Sequence, residues 1–158
     1  MALIKLNNNS ISAVSALPSG VGGKVLQVVL SSDSTSYGTT SSSYQQALQS
    51  SSITLNNSSN KVLVIANFVQ WAAGTNSVYS SLYRGAVSGG TRIGGSGDGM
   101  IQNSGASGAS YRGVNLVWLD TPGGNTTYSI GYHSESGLGT NIRGDLHKNL
   151  ITLIEIEA

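Results

Sequence analysis

The sequence predicts an all-β fold: an antiparallel jelly-roll-like β-sandwich of about eight strands, preceded by an extended N-terminal arm. Three observations point there. Short segments are rich in β-branched and aromatic residues, Gly, Asn, Ser and Pro-Gly turns separate them, and no amphipathic helical stretch stands between them to carry a parallel crossover. At 158 residues the chain fits one domain. A domain of that size buries roughly 70% of the surface its unfolded chain exposes, so a core can form without covalent staples.

Residues 1–23 read as the arm and residues 24–158 as the sandwich domain. The arm holds an alternating stretch, Leu3-Ile4-Lys5-Leu6, then three asparagines, a second apolar stretch from Ile11 to Leu17, and a hinge, Pro18-Ser19-Gly20-Val21-Gly22-Gly23. Apolar beads without a core pattern cannot alone offset the entropy of ordering the segment. The arm is therefore expected to lie on a partner, through Leu3, Ile4, Leu6, Ile11, Val14 and Leu17.

Strands are expected at 24–30, 53–55, 61–73, 77–84, 91–93, 114–120, 126–133, 140–143 and 149–156, with 37–48 extended around Tyr44 and Leu48. Gln45 to Gln49 would equally suit one helical turn. The last strand shows period two, Leu150, Thr152, Ile154 and Ile156 opposing Ile151, Leu153, Glu155 and Glu157, as in a strand losing its cover on one face. Its end is expected to be partly exposed.

Composition excludes several function classes. Without cysteine there is no disulfide framework, thiolate catalysis or Cys-based metal site. Charged residues are 9% of the chain and the net charge is +1, and the basic residues are scattered singly where a nucleic-acid binder would cluster them. Solubility falls to Ser, Thr, Asn, Gln and Gly, which suits a protein crowded among identical neighbours. No apolar run approaches the ~20 residues of a membrane span, and the first residues lack the pattern of a secretory signal. Neither nucleic acid nor membrane is an expected partner.

Chemical motifs fare no better. The run Gly94-Gly95-Ser96-Gly97-Asp98-Gly99 misses the spacing of a dinucleotide loop, and Gly23-Lys24 is followed by Val25 where a phosphate loop needs Ser or Thr. His133-Ser134-Glu135 would set a base and an acid on one side of a strand, but GxSxG is absent, and an exposed strand end is the expectation. Acids are sparse and isolated, so no metal site and no cofactor are expected. Trp71 and Trp118 fall within strand patterns and are expected in the core or between subunits. Tyr111, read as lying in a loop beside Gly108 and Arg112, is with Arg112 the candidate for surface recognition.

Three stretches, LPSGVGGKVLQVV (17–29), SSITLNNSSNKVLVIANFVQW (51–71) and NLITLIEIEA (149–158), resemble small phage virion proteins frequent in phages of cyanobacteria and marine bacteria. Members occur as tail-fibre tips and as free-standing virion proteins. The resemblance implies a jelly-roll-like sandwich, usually trimeric, on the outer surface of the virion, with no catalytic residues, and the lack of a secretory pattern fits assembly in the host cytoplasm. With 23 residues ahead of the sandwich, no shaft is expected. The expectation is a homotrimeric capsid decoration (cement) protein, not an enzyme, whose arm clamps the major capsid protein or other virion proteins. The alternative is a short tail-fibre or receptor-binding protein, its loops 94–112 and 134–140 touching a host surface glycan.

Overall fold

The computed structural model describes residues 24–95, 97–105 and 108–158. The arm contacts expected of Leu3, Ile4, Leu6, Ile11, Val14 and Leu17 lie outside the described residues. Among the described residues eleven strands follow one another: β1 (Val25–Asp33), β2 (Ser36–Thr39), β3 (Gln45–Gln49), β4 (Lys61–Ala72), β5 (Ser77–Arg84), β6 (Thr91–Ile93), β7 (Ile101–Ser104), β8 (Ser110–Asp120), β9 (Tyr128–Ser134), β10 (Thr140–Arg143) and β11 (Asn149–Ile156). They form two antiparallel sheets packed as a β-sandwich.

The first sheet is organised on β4, the longest strand. β8 pairs with β4 along one side, while β11 and then β10 pair with successive halves of its other side, and β1 and β2 flank those two. The second sheet runs β3, β9, β5, with β6 and β7 on successive parts of β5. The chain crosses between sheets at most of its connections, as expected of antiparallel strands joined over the ends of a sandwich.

The core lies where the inner faces meet. Val62, Val64, Ala66 and Phe68 of β4, Val114 and Leu116 of β8, and Ile151 and Leu153 of β11 pack on Leu82 of β5 and Tyr128, Ile130 and Tyr132 of β9. Along β4 burial alternates residue by residue, the period that a pleated strand imposes.

Two buried acids tie loops and sheets together. Asp120, at the end of β8, accepts hydrogen bonds from Arg84 Nε at 2.7 Å and Tyr128 Oη at 2.8 Å, with Arg84 Nη2 on its other oxygen. One carboxylate thus joins the first sheet to two strands of the second. Glu155, expected near the exposed strand end, is instead fully buried. It accepts from Asn60 Nδ2 at 2.7 Å, the Asn56 backbone N–H at 2.8 Å and Gln27 Nε2 at 2.6 Å, which replace its lost water. The end of the strand beyond it is as expected: Ile156 is half-buried and Glu157 exposed.

Three differences from expectation have local causes. The segment 37–48 splits into β2 and β3, which belong to different sheets, and residues 45–49 are strand, not a helical turn. Strand β7 pairs with Ser77 to Ser80 of β5, beyond the stretch of β5 that β6 occupies. Its sequence, Ile-Gln-Asn-Ser, has no β signal of its own. Strand β8 begins at Ser110 because the upper half of β4 offers an open template, so Tyr111 to Gly113 pair with Val69 to Trp71 although their sequence reads as loop.

Candidate functional site

Across antiparallel strands, residues in register share a face. On the outer face of the first sheet, register aligns Val28, Ile154, Leu63 and Leu119 in one row, and Leu30, Thr152, Ile65 and Val117 in the next. A third row, Ser32, Leu150, Asn67 and Asn115, closes this apolar field, with Asn115 Nδ2 donating to Asn67 Oδ1 at 2.7 Å. Val28 is 58% exposed, Leu30 63%, Val117 49% and Leu119 50%, side chains that in a one-sided antiparallel sheet would be polar.

Above the third row the face hollows into a groove of about 660 Å³. Its floor is Val69 and Gly113, and its walls are Tyr111 and the connection bearing Leu146, His147 and Lys148. Nothing stands over Gly113, so the trough owes its depth to a missing side chain. Tyr111 is held in place: Arg143 lies 5.7 Å from its ring centroid and donates from Nη1 to its hydroxyl at 3.3 Å. Arg143 is itself clamped by Asp145, through Nε at 2.8 Å and Nη2 at 2.6 Å, with Ser36 donating to the same acid. Those hydrogen bonds hold Asp145 well below the usual carboxylate range.

The structure corrects the expected recognition pair. Tyr111 and Arg112 sit in strand β8, not in a loop, and as neighbours on a strand they point to opposite faces. Tyr111 faces the groove, 55% exposed. Arg112 has the parity of buried Gln70, across from it, and donates to the Gln102 carbonyl of β7 at 3.0 Å. Trp71 and Trp118 are not core residues: Trp71 is half-buried on the outer face and Trp118 is exposed at the sandwich rim.

His133 is also not an exposed strand end. It is buried, stacked on Tyr79 at 5.1 Å and edge-on to Tyr44 at 4.6 Å. Its nitrogens face the carbonyls of Ser134 and Asp98 at 3.3 and 3.2 Å, so neither is aimed at a hydroxyl it could activate. Glu135 is exposed. Gly94 and Gly95 adopt φ of 66°, the left-handed region that glycine favours, and the loop they open brings the Asp98 carbonyl onto Tyr44 and His133. The Gly-rich run thus covers an aromatic cluster. Among the described residues no group of three or more His, Asp or Glu converges as a metal site, and no helix is long and apolar enough to cross a membrane.

No family model matches the chain. No curated protein matches it either. Among solved structures, it is similar to a chain in the structure of infectious bursal disease virus, Gx strain, at 12% identity and a TM-score of 0.27. The match covers 85% of this chain and 37% of the viral one. At that score the likeness assigns neither family nor function.

The residues that sequence reasoning missed are those of the apolar field. One signal was available: β4, Lys-Val-Leu-Val-Ile-Ala-Asn-Phe-Val-Gln-Trp-Ala, is apolar at both parities, the composition of a strand covered on both faces.

Proposed function

We propose that this protein is a non-catalytic structural subunit of a bacteriophage particle: a homotrimeric capsid decoration (cement) protein on the outer surface of the virion. The observation that carries the reading is the apolar outer face of the first sheet, a surface suited to another protein and not to a small substrate. The resemblance of residues 17–29, 51–71 and 149–158 to small phage virion proteins supplies the kind of particle. The arm, residues 1–23, would add its apolar beads to neighbouring major capsid subunits as extended strands, each short contact multiplied by the high local concentration in a lattice. Deleting residues 1–17 is expected to leave a folded trimer that no longer binds capsids lacking it, in a sedimentation assay. Retained binding would refute the clamp.

One observation favours a second reading, a short tail-fibre or receptor-binding protein. The groove has an aromatic ring, Tyr111, toward one end and the Asn67 and Asn115 amides toward the other, with His147 and Lys148 also lining it. A ring covers the apolar side of a sugar while amides bind hydroxyls. On this reading Tyr111→Ala lowers binding to a host-surface glycan at least tenfold on an array, with the fold intact. No glycan bound by the wild-type protein would remove the reading.

A further inference from the structure

We infer that the apolar rows on the outer face of β1, β11, β4 and β8 are the surface through which copies of this chain bind one another, each face being covered by the same face of neighbouring copies. The inference rests on the reading above only for the number of copies, three.

Coverage is called for by composition. In an antiparallel sheet with one wet face, strands alternate apolar and polar. Here β4 places Leu63, Ile65 and Val69 outward against Val62, Val64 and Phe68 inward, and β11 places Leu150, Ile154 and Ile156 outward against Ile151 and Leu153. These are the central strands of the sheet, and both their faces are dry in character.

Dimensions choose the occupant. Strands lie ~4.8 Å apart, so four side by side make a face roughly 19 Å wide. β11 runs beside β4 over seven residues, Lys61 to Asn67, which makes the face roughly 23 Å long at ~3.3 Å per residue. One extended segment, such as the arm of the same chain, covers a strip about one strand wide and leaves most of the field wet. The sheets of two neighbouring copies, meeting this one round a three-fold axis, cover it all. The face so defined is roughly 440 Å², the size of the apolar patches that mark protein interaction surfaces.

Charge agrees. The three rows hold no ionisable side chain; Lys61 stands at one end of the face, and His147, Lys148 and Arg143, the last paired with Asp145, stand beyond the other. A neutral face meets its own copy without bringing like charges together, which a face steered toward a charged foreign partner would not need. Serine and asparagine in the third row give the margin hydrogen-bonding groups, as interface rims have.

The test uses the full chain and reads its mass in solution by light scattering and sedimentation velocity. Wild type is expected to be an oligomer. The double variant Val28→Glu, Val117→Glu is expected to run as a monomer with the far-ultraviolet spectrum and cooperative melting of a folded sandwich, because both side chains are exposed in the single subunit. Should that variant fail to fold, Val28→Thr, Val117→Thr keeps the β-branched shape and is expected to weaken association at least tenfold. The chain lacking residues 1–17 is expected to remain an oligomer. A wild-type monomer, an oligomer indifferent to all four substitutions, or dissociation on arm deletion would each overturn the inference. Capsid binding that survives arm deletion, with the oligomer still sensitive to Val28 and Val117, would instead overturn the clamp and leave this interface standing.

Discussion

Asp120→Ala is expected to lower the stability of the subunit by about 3 kcal/mol, read as a fall in melting temperature of roughly 6–12 °C. The carboxylate is buried and serves three donors, two on Arg84 and one on Tyr128. Removing it leaves the Tyr128 hydroxyl buried without an acceptor and the Arg84 guanidinium, partly shielded, without its counter-charge. Burial pushes the Asp120 carboxyl up, but the bonds from Arg84 and Tyr128 outweigh that and hold it below its ordinary value, so it is charged near neutrality. The same geometry, after burial, drives the Tyr128 hydroxyl far above its ordinary range, which keeps it a donor. Adding Tyr128→Phe to Asp120→Ala is expected to restore part of the loss, because the orphaned hydroxyl goes with it. Equal losses in the single and double variants would mean that Tyr128 does not depend on Asp120.

Most of the fold was legible because it follows from period and punctuation. β5, β6, β10 and β11 begin and end where alternation and turn residues place them. What was not legible depends on partners distant in sequence. Ile101 to Ser104 become a strand because β5 offers them an edge, and Ser110 to Gly113 because one side of β4 is open to β8 as far as Ala72. The site was read in part. Tyr111 was found by its exposed aromatic character, but its separation from Arg112 needed a strand assignment that the glycine at 113 conceals. Burial of His133 is set by Tyr44 and Tyr79, and the cover over it by Asp98, all from other elements. The apolar field is a property of register among β1, β11, β4 and β8, and no single segment carries it.

Glu155 carries the other large effect, and it is expected to make stability depend on pH in acid. Burial raises its carboxyl, and the hydrogen bonds from Asn60, Gln27 and the Asn56 backbone more than reverse that, so it lies below its ordinary 4.5. Asp120 lies below its ordinary 3.8 in the same way. As pH falls, the unfolded chain therefore binds protons at these sites before the folded chain does, and the native state loses ground. Stability from the pair is complete above about pH 5 and declines below it, by up to ~1.4 kcal/mol per pH unit for each proton of difference. Glu155→Leu removes the acceptor, leaves the buried Asn60 amide without a partner and takes one from the Asn56 N–H and Gln27 Nε2, at about 3 kcal/mol. Glu155→Gln keeps the shape and one acceptor oxygen, loses about half as much, and is expected to flatten the acid slope of the urea midpoint between about pH 5 and pH 3. An unchanged slope in Glu155→Gln would mean that the carboxyl titrates alike folded and unfolded, and that the amides around it are spacers instead of the reason a charge survives at the end of β11.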